Sequence, residues 1–192
     1  MYQEKNNKKK KLNNSQIWLL FFYDIISNIR RGIMIIEYED QYSEDLKLLL
    51  EELQEYIASI DKEHYNIITE NSKEQCFLET MKEVEKYKGK ILLYKENNNI
   101  LGTIIGMVNN EEESTSNFKA PKRGRITEFV VTKKVRSKGI GKKLFTEMEE
   151  YLKSLGCVDI LIGVFRYNDK AIDFYKHNGY HTRMIDMIKK MG

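Results

Sequence analysis

The stretch KKVRSKGIGKK, at residues 133–143, contains six basic residues, two glycines and no acidic residue. The apolar run ITEFVV ends one residue before it, and a stretch with the apolar spacing of a helix follows it. A turn between a strand and a helix presents unpaired backbone N–H groups and the positive end of the helix dipole, which together attract anions. Three roles are therefore open: a site for a phosphate-bearing cofactor, a contact with a nucleic-acid backbone, or a solvated surface turn.

Two common phosphate-binding sequences do not match this turn. A Walker A loop needs a glycine five positions before Gly-Lys-Ser/Thr, and no such glycine is present. A dinucleotide-binding fingerprint needs a third glycine three residues after Gly141, where the sequence has Leu144. Taken alone, the turn therefore favours a solvated basic surface.

A second segment, NDKAIDFYKHNGY at residues 168–180, changes this interpretation. In chain order, R-S-K-G-I-G and N-x-x-A-x-x-F-Y-x-x-x-G-Y resemble the two signature motifs of the GNAT superfamily of N-acetyltransferases. A helix-like stretch and an apolar stretch separate them, as in that family. The resemblance covers Met34 to the C-terminus. It implies an α/β fold of GNAT type, with a mixed, mostly antiparallel central sheet flanked by helices and an acetyl-CoA site at the strand–glycine loop–helix turn.

The resemblance also implies which residues bind acetyl-CoA, the co-substrate. The pantetheine arm is a chain of amides, so we expect it to pair with the strand at Phe129, Val130 and Val131. A backbone N–H there, at Val131, is expected to face the thioester carbonyl. Asn168 caps the second-motif helix and also contacts the cofactor, while Ala171 is small enough to let the cofactor pass. The residues expected to contact the pyrophosphate or ribose phosphate are Arg136, Ser137, Lys138, Gly139, Ile140, Gly141 and Lys142.

Direct acetyl transfer to a primary amine, through a tetrahedral intermediate, also requires a base for the amine and an acid for the leaving thiolate. By resemblance Tyr175 is the acid, a phenol of pKa ~10 facing a thiol of pKa ~8.5; the alternative is an aromatic residue packed on the sheet. Glu128 alternates away from Phe129 and is the candidate base, directly or through water. The alternative for Glu128 is an outward carboxylate paired with Arg125 or a lysine.

The acceptor is less well determined than the donor. Glu111, Glu112 and Glu113 can attract a cationic small molecule or a protein amino group, or they can simply be solvated. A non-catalytic acyl-CoA-binding module of the same fold remains an alternative, and a nucleic-acid-binding domain using residues 133–143 is less favoured. Because the net charge is only +3, we expect neither nucleic acid nor a membrane as a partner. A monomer or a homodimer is expected.

The composition of the 192 residues fits one globular domain in the cytoplasm. Cys76 and Cys157 are the only cysteines and are far apart, which suits a reducing compartment. The three histidines form no HExxH pattern, so we expect no metal.

Residues 1–33 have no counterpart in the family, and residues 34–192 form the expected acetyltransferase domain. The seven-residue apolar run IWLLFFY is too short to span a membrane, which takes about 20 residues. An amphipathic extension and a signal peptide are two interpretations of this region. We hypothesise a third, in which RRGI reflects a purine-rich ribosome-binding sequence in a bacterial message, Met34 is the natural start and residues 1–33 are translated leader.

The apolar periodicity predicts the order strand, two helices, three strands, helix, strand, helix and strand. Ser43 is expected to cap the first helix, and the second helix is expected over residues 72–87. The hairpin is expected to turn at Asn97–Asn99. CVDILIGVF is expected to be a strand buried on both faces, and YHTRMIDMIKK is expected to supply one or two closing strands.

Overall fold

The computed structural model describes residues 18, 32–109, 116–117 and 119–191. The described residues form the strands β1 (Ile33–Glu37), β2 (Lys90–Glu96), β3 (Asn99–Asn109), β4 (Arg123–Val131) and β5 (Asp159–Ile162). The helices that flank them are α1 (Ser43–Ile60), α2 (Ser72–Lys86), α3 (Ile140–Ser154) and α4 (Asp169–His177). Short 3-10 turns precede α1 at Asp40–Tyr42 and follow β4 at Lys133–Val135.

The strands form one sheet in the order β1-β2-β3-β4-β5. The first three pairings are antiparallel, and β4 pairs with β5 in parallel through the crossover helix α3. This mixed, mostly antiparallel sheet with flanking helices confirms the predicted architecture. The hairpin between β2 and β3 is also confirmed, although its turn is limited to residues 97–98 and Asn99 already belongs to β3. Asn97 has a positive φ (56°), as is typical of such turns.

Each face of the sheet has its own core. On one face, α3 buries an apolar stripe at helical spacing, with Leu144, Met148 and Leu152 fully enclosed. On the other face, α1 buries Leu46 and Leu50, and α2 packs its apolar side against the same cluster. The sheet is therefore enclosed by α3 and α4 on one side and by α1 and α2 on the other.

A bulge in β4 decides which face its later side chains occupy. Ile105 lies opposite Glu128, and the next residue of β3 lies opposite Ile126, so Thr127 has no partner across the ladder. Because side chains alternate along a strand, the extra residue places Phe129 on the same α3/α4 face as Ile126. Glu128 is thereby turned toward the face covered by α1 and α2.

All of β5 pairs with β4, but only with the first residues of β4. The parallel ladder ends where Ile126 lies beside Ile162. At the other end of the ladder, where both strands begin, the largely buried Arg123 guanidinium forms a bidentate ion pair with Asp159, with N–O distances of 2.5 and 2.8 Å. β5 ends at Ile162, so the edge of β4 away from β3 has no described strand beside it from residue 127 to 131.

Two predictions about element ends are wrong. Ser43 does not cap α1, because the 3-10 turn Asp40–Tyr42 runs directly into the helix and places Ser43 inside it. CVDILIGVF is not a strand buried on both faces. Its strand is limited to β5, which is half-buried because, among the described residues, only β4 pairs with it.

The predicted closing strand over residues 180–190 is also wrong. Residues 180–191 have no regular secondary structure, and their large apolar side chains are exposed. The physical reason is the spacing of these side chains, which does not alternate and so cannot give a strand one apolar face. The exposed apolar residues are Met184, Ile185, Met187, Ile188 and Met191.

Two sequence-based hypotheses concern residues outside the described part of the chain. They are the leader at residues 1–33, of which Trp18, Gly32 and Ile33 alone are described, and the acidic loop residues Glu111, Glu112 and Glu113. Within the described ranges, no helix is long and apolar enough to cross a membrane, and no three His, Cys, Asp or Glu side chains form a cluster that could hold a metal ion.

Candidate functional site

The open edge of β4 presents backbone N–H groups without a strand partner. Thr132 donates its N–H to the carbonyl of Leu101 in β3, at 3.0 Å. Because alternate residues of an antiparallel strand face the same neighbour, Phe129 and Val131 direct their N–H groups to the opposite, open edge. An extended chain of amides can pair with such an edge as an added strand does. Pantetheine has this character, so the edge fits the arm of acetyl-CoA.

The loop that follows β4 presents a second set of N–H groups. Ser137 (φ 66°) and Gly139 (φ 79°) both have left-handed backbone conformations, and α3 begins directly after them. Within the described ranges, no acceptor lies within hydrogen-bond distance of the N–H groups of residues 136–142. Changes of handedness of this kind, together with a helix N-terminus, form concave anion sites. The loop therefore fits a pyrophosphate.

The two glycines of the loop have different physical roles. Gly139 needs its positive φ, and a methyl group added there would meet nothing within 4 Å. At Gly141, by contrast, a Cβ would lie 2.9 Å from Cζ of Phe129. Gly141 therefore lets the Phe129 ring pack beneath the first turn of α3. Gly141 thus has a packing role in addition to its expected contact with the phosphates.

The side chains of the loop divide into engaged and exposed groups. Arg136 donates from Nε to the carbonyl of Val131 (2.8 Å) and from Nη2 to Glu52 (3.2 Å). Ile140 is buried in the core and can offer a ligand only its backbone. Lys138 and Lys142 are exposed beside the loop.

The second motif forms α4 and begins at the predicted cap. The Asn168 side-chain oxygen accepts hydrogen bonds from the backbone N–H of Ala171 (3.2 Å) and from the Tyr56 hydroxyl (3.1 Å). The start of α4 is thus attached to α1, although the two lie far apart in sequence.

Tyr175 lies in an aromatic cluster between α3 and α4. Its ring centroid is 5.7 Å from that of Phe145 and 5.8 Å from that of Phe174, and Phe174 stacks on Phe129 at 5.5 Å. Burial raises the pKa of Tyr175 to about 12. The cluster therefore brings the second motif against the same residue, Phe129, that borders the open edge of β4.

Glu128 lies on the opposite face of β4, toward α2. Burial, and secondarily the negative charge of Glu83, raise the pKa of Glu128 to about 7. Glu128 in turn raises the pKa of Cys76, whose largest perturbation is its own burial. Among the described residues, no arginine or lysine forms an ion pair with Glu128, and Arg125 is exposed. A buried carboxyl without a cationic partner is typical of a functional acid or base.

Sequence reasoning missed Glu52 and Glu83. Glu52 accepts hydrogen bonds from the Thr132 hydroxyl (2.8 Å), the Lys133 N–H (2.7 Å) and Arg136. Glu83 lies on α2 and acts on Glu128 across the space between helix and sheet. Neither residue belongs to a motif, and the only sequence signal for Glu52 is its position one helical turn before Tyr56.

Comparison with known proteins agrees with the motifs. The sequence model of the Acetyltransferase (GNAT) family matches residues 46–180. The fold is similar to that of a mutant BH1408 protein from Bacillus halodurans, with a TM-score of 0.72 and 21% identity, over 82% of this chain and 99% of that one. Against glucosamine-6-phosphate N-acetyltransferase from Arabidopsis thaliana the TM-score is 0.56 and the identity 21%, over 83% and 99% of the two chains.

A third similar structure is the aminoglycoside N-acetyltransferase AAC(6')-Iy in complex with CoA. Its TM-score is 0.59 and its identity 11%, over 83% of this chain and 95% of that one. A search of curated protein sequences finds no match.

Proposed function

The chain belongs to the GNAT family of acetyltransferases, whose donor is acetyl-CoA, and we propose that it acetylates a primary amine. The amine belongs to a small molecule or a protein, and the acetyl group moves to it directly from the thioester. One observation carries the proposal: a single short turn at residues 132–135 joins the open edge of β4 to the loop at residues 136–142, so two sets of N–H groups without a described acceptor follow one another along the same connection. That continuity suits one extended ligand that carries both amides and phosphates.

Donor binding uses the backbone of this chain more than its side chains. The N–H groups of residues 136–142 bind the pyrophosphate, and the exposed Lys138 and Lys142 add positive charge. Phe129 and Val131 pair with the amides of the pantetheine arm. The Val131 N–H then lies in position to donate a hydrogen bond to the thioester carbonyl oxygen, where negative charge develops.

Glu128 is the proposed base for the acceptor amine. An alkylammonium has a pKa near 10.4, so the acceptor must lose a proton before its nitrogen can attack. A carboxyl of pKa about 7 is partly ionised at neutral pH and is basic enough to accept this proton, directly or through water. In the balanced step, the ammonium gives one proton to Glu128, the nitrogen–carbon bond forms, the carbon–sulfur bond breaks and the second nitrogen proton leaves to solvent.

Tyr175 is proposed to stabilise the departing sulfur. A phenol of pKa about 12 holds its proton more firmly than a thiol of pKa ~8.5, so complete proton transfer to the thiolate is uphill. The raised pKa thus favours a role in which the Tyr175 hydroxyl donates a hydrogen bond to the sulfur. The thiolate takes its proton later, from solvent.

Thiol release from acetyl-CoA across a panel of polyamines, aminoglycosides and lysine-containing peptides tests the proposal. We expect thiol release only when both the protein and one class of amine are present. Mass spectrometry should then identify the acetylated amine. Glu128→Gln should lower the rate, whereas Glu55→Gln, at an exposed position of α1, should not. Binding of CoA without thiol release from any amine would instead support the non-catalytic acyl-CoA-binding module.

A further inference from the structure

Helix α1 contacts both connections that the proposed donor site uses. Glu52 contacts the connection that follows β4, and Tyr56 contacts the connection that follows β5. The two residues are four positions apart, so they lie on the same face of α1. We infer that Glu52 and Tyr56 are positioning residues through which α1 holds the two donor-binding motifs in a fixed relation. This inference rests on the proposed function only in taking those motifs as the donor site.

The sheet itself does not hold the two connections together. Pairing between β4 and β5 ends at Ile126 and Ile162, before either connection begins. β5 itself ends at Ile162, so hydrogen bonds of the ladder cannot fix the distance between the glycine loop and the start of α4. Phe174 of α4 stacks on Phe129 of β4 at 5.5 Å, and the hydrogen bonds of Glu52 and Tyr56 identify α1 as a further element that joins the two connections.

The carboxylate of Glu52 organises the beginning of the loop. One oxygen accepts from the Thr132 hydroxyl at 2.8 Å, and the other accepts from the Lys133 N–H at 2.7 Å and from Arg136 at 3.2 Å. The Lys133 N–H is the first of the 3-10 turn, so Glu52 acts there as a capping carboxylate supplied by another element. Three donors on one connection thus depend on a single side chain of α1.

Arg136 extends this contact to the end of β4. Its Nε donates to the Val131 carbonyl at 2.8 Å, and its guanidinium lies 5.7 Å from the centre of the Tyr56 ring. The charge of Arg136, the first residue of the loop motif, is therefore directed at Glu52 and the strand end. Arg136 thus hydrogen-bonds the carbonyl of Val131, the residue whose N–H is proposed to donate to the thioester carbonyl oxygen.

Tyr56 makes the matching contact on the other side. Its hydroxyl donates to the Asn168 side-chain oxygen at 3.1 Å, and the same oxygen accepts from the Ala171 N–H at 3.2 Å. The cap of α4 is thus shared with α1. Displacing Tyr56 would alter both the position of the cap and the ring that lies beside Arg136.

An alternative role for Glu52 is purely electrostatic. A carboxylate near an anion-binding loop repels pyrophosphate, so removing its charge would tighten CoA binding if repulsion were its main effect. If positioning is the main effect, the same substitution loosens binding. Glu52→Gln therefore distinguishes the two by the sign of the change, while keeping the size of the side chain.

The test is calorimetric titration of CoA into the full chain carrying Glu52→Gln, Tyr56→Phe or the control Glu55→Gln. We expect the Kd to rise roughly tenfold for Glu52→Gln and roughly threefold for Tyr56→Phe, which are the effects of losing a charged and a neutral hydrogen bond. Glu55→Gln should leave the Kd unchanged. In turnover assays of Glu52→Gln and Tyr56→Phe, the KM for acetyl-CoA should rise while kcat and the KM for the amine stay near wild type. Partial unfolding of a variant would instead lower kcat and leave both KM values unchanged.

Amide hydrogen exchange of the protein without ligand supplies a readout that needs no donor. We expect Glu52→Gln to speed exchange in residues 132–138 and Tyr56→Phe to speed it in residues 166–172. Unchanged exchange in both regions, or CoA binding to Glu52→Gln as tight as or tighter than wild type, would overturn the positioning role. If the wild type itself binds no CoA, the proposed function fails, and the exchange data still decide whether α1 orders the two connections. If Glu52→Gln does not fold, the CoA affinity and the amide hydrogen exchange of Tyr56→Phe test the positioning role instead.

Discussion

Replacing Glu128 with glutamine should make the protein more stable at alkaline pH while making it less active. The pKa of Glu128 is raised from the ordinary 4.5 to about 7 because the carboxyl is buried and lies near Glu83. Between these two values the folded protein retains a proton that the unfolded chain has released. The free energy of unfolding of the wild type therefore falls as pH rises through this window. Glutamine has a similar size and no charge, so the variant lacks this dependence.

The size of the effect follows from the pKa values. The difference between 4.5 and about 7 corresponds to about 3 kcal/mol of unfolding free energy at a pH well above 7. We therefore expect the advantage of Glu128→Gln over wild type to grow by roughly 2–3 kcal/mol between pH 5 and pH 8.5. In thermal melts this is a relative gain of about 4–12 °C in Tm for a domain of this length.

Urea unfolding of wild type, Glu128→Gln and the exposed control Glu55→Gln at the two pH values measures this change. Glu55→Gln should show no gain that depends on pH. A Glu128→Gln difference that is the same at pH 5 and pH 8.5 would show that Glu128 is not a buried carboxyl of raised pKa. The opposite signs of the stability and activity changes also separate loss of the base from loss of the fold.

Four further substitutions test other parts of the site. Glu83→Gln removes a negative charge that raises the pKa of Glu128, so the acidic limb of the kcat/KM profile should move to lower pH; an unmoved limb would mean that Glu128 is not the group being titrated. Tyr175→Phe removes the hydrogen bond to the departing sulfur and should lower kcat roughly 100-fold with little change in CoA binding, and full turnover would remove its role. Gly141→Ala places a methyl group 2.9 Å from an aromatic ring of β4 and should lower the unfolding free energy by about 1–3 kcal/mol in urea titrations. Gly139→Ala meets no atom within 4 Å and should cost about 1 kcal/mol through its positive φ alone, and equal effects of both residues in the same titrations would contradict this distinction.

The features that the sequence predicts well depend on residues close together in the chain. Asn168 caps α4 as expected, because a cap needs only a side-chain oxygen and an N–H three residues later. Gly156 ends α3 with a positive φ, as glycines after apolar helical stripes do. Each of the two motifs is likewise a short continuous segment, so the motifs and their order along the chain were sufficient to predict the fold.

The features that the sequence does not predict depend on contacts between distant segments. The bulge at Thr127 appears only in the register of β4 against β3. Glu52 lies on α1, more than 80 residues before Arg136, and has no motif of its own. Residues 180–191 have apolar side chains that resemble those of a strand, yet a strand also needs a partner and an alternating pattern. The alternation from Phe129 did place Glu128 correctly, because the bulge comes before both residues.

The location of CoA can be measured by following backbone amide resonances in two-dimensional ¹⁵N–¹H NMR spectra during a titration with CoA. The largest shifts should belong to the amides of Phe129 and Val131 and of residues 137–142, which have no acceptor among the described residues. Amides on the β3 side of the ladder, such as that of Val130, should shift less. Shifts confined to other surfaces, with the open edge of β4 and the glycine loop unaffected, would contradict the proposed donor site.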